Sequence, residues 1–130
     1  MRGEFLPEQH IINKTKGVAL AHRARISCTF GTRLVGLLGR RCLERGEGMI
    51  LIPCSSIHTF FMRFPIDVLF LDGESRVVFL AKGLKPFRVS PLVLGARCAI
   101  ELPAGTIEET GTEKGDLVIV EPPGELPHFP

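Results

Sequence analysis

Residues 65–81 read "PIDVLFLDGESRVVFLA", and the fold turns on this stretch. Two runs of Val, Ile, Leu and Phe flank an Asp72-Gly73 pair. Apolar runs of this kind, bounded by turn residues, read as strands, and Asp-Gly is the turn chemistry of a tight antiparallel hairpin. Ile66–Leu71 and 76–81 are therefore predicted as its two arms. Pro65 cannot donate to a ladder and drives Phe64 toward extended geometry. It separates the hairpin from residues 57–64, "IHTFFMRF", predicted as a central strand that meets Ile66 at a bend or bulge.

Further strands lie on both sides. "VALAHRARIS" (18–27), "GMILIP" (48–53), "RCAIEL" (97–102) and "DLVIVE" (116–121) fit the same pattern. The second is apolar throughout and reads as buried on both faces. In the third, alternation sends Cys98, Ile100 and Leu102 inward and Arg97 and Glu101 outward. Two short helices fit between strands. In "TRLVGLLG" (32–39), Leu34, Leu37 and Leu38 share a face, with Thr32 to cap and Gly39 to stop. In "TIEETG" (106–111), Thr106 and Glu109 have capping-box spacing and Gly111 terminates. "KGLKPFRVSPLVLGA" (82–96) has no period and reads as a surface loop, longer than packing requires. The expected architecture is mainly β: a compact antiparallel β-sandwich or barrel-like single domain over residues 1–121, with one or two short helices. A proline-rich tail follows at 122–130.

Bulk properties narrow the function classes. At 130 residues, 45% hydrophobic and 23% charged, the chain has an ordinary soluble globular composition. Its longest apolar runs are a few residues, too short to span a bilayer. The opening "MRGEFLPEQH" has no apolar core of signal-peptide length, so a cytoplasmic location is expected. Net charge is +2, which gives no reason to expect nucleic acid as a partner. Arg33, Arg40, Arg41 and Arg45 cluster, but residues 31–47 hold no aromatic for base stacking, so a solvated face is expected. Cys28, Cys42, Cys54 and Cys98 form no C-x-x-C pair and read as reduced, mostly buried thiols.

Catalytic and metal signatures are sparse. The four histidines show neither H-x-H nor H-E-x-x-H spacing, so no metal and no cofactor is expected. Cys54 precedes His58 by four residues, about 13 Å along a straight strand, beyond the reach a general base needs. A turn at 53–56 would be required to join them. More informative are the charges set in grease: His58, Arg63 and Asp67. A buried unpaired carboxylate is costly, so Asp67 needs either solvent or a fixed partner, with Arg63 and Arg97 as candidate donors. An internal ion pair is one outcome. The other is a shallow polar pocket in an apolar surround, the usual build of a small-ligand site. On the second view His58, Arg63, Asp67 and Arg97, with Lys85 and Arg88 of the 82–96 loop, form the candidate ligand-binding set.

"GLLGR", "EGMILIP", "FFMRFPIDVLFLD" and "ELPAGTIEETGTEKGD" together resemble a widespread family of small prokaryotic proteins, domain of unknown function 192, from about Val18 to Glu121. The resemblance implies a compact mainly-β sandwich or barrel and brings no established activity, substrate or cofactor. Many relatives show Trp-Met-Lys-Asn where this chain has Phe61-Met62-Arg63-Phe64, so the basic position is kept and the tryptophan and the amide are not. The expectation is a domain that binds a small molecule or a protein partner near the central hairpin. The alternatives are a hydrolase or transferase using His58 with Asp67 or Cys54, and an accessory protein acting through protein–protein contact alone.

Overall fold

The computed structural model describes residues 9–27, 43–57, 59 and 63–121. The helix expected at 32–39, the tail at 122–130, Cys28, Cys42, His58 and three of the four clustered arginines (Arg33, Arg40, Arg41) lie outside the described residues.

Seven strands and one short helix follow in the order β1 (Gln9–Asn13), β2 (Val18–Ser27), β3 (Glu47–Leu51), β4 (Ile66–Leu71), β5 (Val77–Leu84), β6 (Cys98–Pro103), α1 (Thr106–Thr110) and β7 (Val118–Glu121). They form one sheet ordered β5-β4-β6-β3-β2-β1-β7. Its pairings are antiparallel except β2 with β3, which run parallel. The sheet curls until its edges touch at one end. Arg76 bridges Leu117, and Val77 N–H donates to the Asp116 carbonyl at 3.0 Å. This is a mainly-β, half-barrel fold, as the strand pattern predicted. β1 was not anticipated: "QHIIN" is short and begins with two polar residues.

The curl gives the sheet an inside and an outside, and both are covered. Inside, Ile11, Leu20, Ile50, Leu69, Ile100 and Val118 form one buried cluster. Outside, Met49, Leu51, Ile66, Val68, Phe70 and Ala99 form a second. Gly48 faces the tight inner wall, where an added Cβ would sit 3.3 Å from Ile11, Ala21 and Leu102.

Two-sided burial corrects the reading of 97–102. Arg97 is exposed, but Glu101 is fully buried, opposite Met49 of β3 and Val68 of β4. Alternation in the sequence assumed one solvent face, and a central strand of a doubly covered sheet has none. The Glu101 side chain is not without a partner.

The β4–β5 hairpin pairs as expected, with Leu69 opposite Leu80 and Phe70 opposite Phe79. Its turn differs. The loop runs over residues 72–76, and the positive φ falls on Ser75 (65°), not on Gly73. Asp72 builds this loop through its side chain, which accepts the N–H groups of Glu74 at 2.8 Å and Arg76 at 3.0 Å. Those hydrogen bonds, Arg76 first, hold its carboxyl below the ordinary carboxylate value. Asp here acts by bonding the chain beyond it, which replaces the two-residue turn.

Candidate functional site

The segment before the hairpin does not behave as a central strand. Its described members Ile57, Thr59, Arg63 and Phe64 lie outside the sheet. The physical cause is the loop 85–97, which takes up its backbone groups. Ser90 N–H donates to the Ile57 carbonyl at 2.7 Å, Val93 N–H to the Ser55 carbonyl at 2.8 Å, and Cys54 N–H to the Arg97 carbonyl at 3.1 Å. Together residues 54–57 and 59 and residues 85–97 make an irregular antiparallel ribbon laid over the outer face of the sheet. Ile57 and Val93 point into the outer cluster.

Thr59 is the fixing point of this ribbon. It is fully buried, and its hydroxyl donates to the Lys85 carbonyl at 2.6 Å while accepting the Arg88 N–H at 2.9 Å. The hydroxyl thus bridges the first carbonyl and the fourth N–H of the turn Lys85-Pro86-Phe87-Arg88. Thr59 also receives Phe87 N–H on its carbonyl at 2.9 Å and gives its own N–H to the Arg88 carbonyl at 2.8 Å. Proline second and a positive φ third are features of a type II turn, and Phe87 supplies the positive φ, 61°. Glycine ordinarily takes that position. A bulky side chain there carries strain that persists only where the surroundings over-determine it, and Thr59 with its four bonds does so.

The consequence is an aromatic ring held out in water. Phe87 is 67% exposed, with Val89, Leu92 and Leu94 exposed beside it on the same ribbon. Four of the six exposed large hydrophobics among the described residues fall in this eight-residue stretch. Exposed apolar groups scattered singly are normal; here four are concentrated in one short stretch.

Of the six residues singled out from sequence, Lys85 and Arg88 belong to this turn, and both are exposed. Arg63 is exposed at the entrance to β4. The register that sets Ile66 opposite Leu84 places that entrance beside Lys85. Arg97 stands at the far end, its N–H on the Leu71 carbonyl at 2.7 Å and its side chain along Gly73. Leu71 lies four positions along the strand from Asp67, about 13 Å away. The ion pair considered for Asp67 is accordingly replaced. Asp67 is buried, and its carboxylate accepts three backbone N–H groups: Gly83 at 2.8 Å, Gly105 at 3.1 Å and Ile107 at 2.9 Å.

Asp67 therefore caps α1 from a distant strand. Glu109 was expected to close a capping box with Thr106, but Gly105 occupies the cap position, and the Thr106 hydroxyl donates to the Pro103 carbonyl at 2.8 Å. A five-residue helix is unstable alone; the Asp67 cap and the buried Ile107 hold it against the sheet. Gly111 ends it with φ 68°, as predicted.

Cys54 packs against the outer cluster and Cys98 against the inner one. Burial, reinforced by nearby Cys54, pushes the Cys98 thiol up to about 11, with a backbone hydrogen bond at Leu71 acting the other way. Among the described residues no group of three or more His, Cys, Asp or Glu is placed to hold a metal ion, and no helix is long and apolar enough to cross a membrane.

A second polar constellation escaped the sequence reading. The Asn13 amide, fully buried, donates to Thr112 Oγ1 at 3.0 Å and Asp116 Oδ2 at 2.9 Å. Lys16 Nζ reaches Asp116 at 3.1 Å and Glu113 at 3.0 Å. Burial raises the Asp116 carboxyl, but hydrogen bonds from Asn13, the Glu113 N–H and Lys16 outweigh it and leave it below the ordinary value. The network joins the β1–β2 turn to the approach to β7. Its members lie about a hundred residues apart, so no local spacing announces it.

With this geometry in hand, likeness to known proteins defines the class. The fold and the chain's match, over residues 11–120, to the family described as "Uncharacterized ACR" place it among small mainly-β proteins without an assigned activity. The chain belongs to that family, domain of unknown function 192. It is 39% identical over 113 residues to a UPF0127 protein of Thermococcus sibiricus, covering 83% of this chain and 72% of the relative. It is 35% identical to a UPF0127 protein of Pyrococcus horikoshii, covering 83% and 96%. A crystal structure of a protein of unknown function from Novosphingobium aromaticivorans superposes with a TM-score of 0.73 at 23% identity, over 88% of this chain and 84% of that one. At that identity the likeness speaks to the fold alone.

Proposed function

We propose that this chain is a binding module that engages a protein partner through the outer side of the 85–97 ribbon. The observation that carries the proposal is Phe87, held at positive φ by buried Thr59 and 67% exposed. A ring displayed on a rigid turn loses little freedom on binding, the usual economy of an interface hot spot. Arg63, Lys85 and Arg88 supply the polar rim, and His58 keeps the place in the candidate set that its sequence position suggested. Asp67 drops to a supporting part, because its carboxylate is occupied by backbone donors. For the same reason it is poorly suited to orient a catalytic histidine.

Site-directed photo-crosslinking tests this in cells. A photoreactive residue replacing Phe87 or Leu92 should yield an adduct of discrete mass, and the same group at exposed Lys114 should not. Equal or diffuse labelling from both sites would remove the ribbon from consideration.

A further inference from the structure

The apolar stretch of the ribbon sits in a segment with no negative charge of its own. From Ser75 to Ile100 there is no Asp or Glu, while Arg76, Lys82, Lys85, Arg88 and Arg97 are present. Three of the five make side-chain bonds: Lys82 with Glu108 at 3.1 Å, Arg76 on the Gly115 carbonyl at 3.2 Å, and Arg88 on the neighbouring Phe87 carbonyl at 3.3 Å. Lys85, Arg88 and Arg97 are exposed, and among the described residues none of them makes an ion pair. Arg63, at the same end as Lys85, is likewise exposed and outside every described ion pair.

Resting on the function proposed above, we infer that the occupant of this face is an acidic, aliphatic segment of another protein. Its Leu, Ile or Val side chains pack on Phe87, Val89, Leu92 and Leu94, and its carboxylates meet Lys85, Arg88 and Arg97. Charge complementarity selects the sign, since a basic segment would meet like charge along the whole rim. The shape favours a protein segment over a lipid surface. Membrane-inserting apolar groups act by dipping into the headgroup region. Here the apolar groups lie along an arm bonded to Thr59, Ile57, Ser55 and Cys54 of the other arm and to Leu71 of the sheet through the Arg97 N–H, so they are held along the chain and not at a free tip.

The test pans a displayed library of random peptides against the full chain. In parallel, it measures sedimentation with vesicles of phosphatidylglycerol and phosphatidylcholine. Expected are peptides rich in Glu or Asp and in aliphatic residues, whose affinity falls with added salt. Their affinity should fall about tenfold or more with Lys85→Glu/Arg88→Glu, and binding should vanish with Leu92→Asp/Leu94→Asp. Because the chain contains no Trp, a Phe87→Trp variant gives a fluorescence reporter at the face itself.

Selected peptides that are neutral or basic, yet still lost on Leu92→Asp/Leu94→Asp, would overturn the acidic class and leave the face standing. Peptides that bind the Leu92→Asp/Leu94→Asp variant undiminished would overturn both. Vesicle binding without peptide enrichment would assign the face to lipid, and no binding to either probe would also overturn the inference.

Discussion

The Asp67 carboxylate on β4 accepts the backbone N–H of Ile107 at 2.9 Å, across a separation of 40 residues. That bond, with those to Gly83 and Gly105, ties the hairpin to the only helix among the described residues. Removing the carboxylate strands three N–H donors in or near the core, and a charged acceptor makes each bond stronger than a neutral one. Asp67→Ala should therefore cost about 3 kcal/mol in chemical denaturation. Asp67→Asn should cost less, because one oxygen remains to accept. A loss well below about 1 kcal/mol for the alanine variant would show that water replaces the bonds.

Thr59 gives a paired substitution. Thr59→Val keeps the shape and deletes the hydroxyl that bridges Lys85 and Arg88. It should destabilise by about 2 kcal/mol and raise amide exchange at Arg88, while Thr59→Ser should retain most of the stability. Equal stability of the valine and serine forms would mean that the hydroxyl does not organise the turn.

Phe87 separates stability from binding. An L-residue at positive φ is strained by about 1–2 kcal/mol, and glycine is not. Phe87→Gly should leave the thermal midpoint unchanged or raised, despite the loss of a large apolar side chain, and should abolish crosslinking or peptide capture at the ribbon. A clear drop in the midpoint would indicate that the ring packs in the folded chain.

The Asn13–Asp116 pair sets a pH dependence. The Asp116 carboxyl lies below its ordinary value in the folded chain, so the folded state binds its proton less readily than the unfolded state. Its contribution is complete above the ordinary carboxylate value and is lost as pH falls through the lower folded-state value. Asn13→Ala removes the largest hydrogen bond that holds the group down, so the variant's melts should show a shallower loss of stability on acidification. Parallel acid profiles for the two proteins would contradict this.

The local grammar of the chain was legible where short-range physics governs it. Apolar runs between turn residues located β2 to β7, Pro65 divided the central segment, and Gly111 ended the helix. These signals depend on period and backbone freedom, which neighbouring residues carry. The candidate site was half visible. The 82–96 stretch read as a surface loop with Lys85 and Arg88 in it, and residues 85–97 do run as one, but nothing local indicated that Phe87 would be turned outward.

Tertiary structure alone chose the partners. It gave Asp67 backbone donors in place of an arginine, buried Glu101 between β3 and β4, withdrew Ile57 and Thr59 from the sheet to pair with the loop, and joined Asn13 to Asp116. Each of these depends on which segments a curled sheet brings together across tens of residues. A sequence pattern registers burial and turn chemistry one residue at a time; it does not register which distant hydrogen-bonding group meets each polar atom, and in this protein those meetings shape the exposed face.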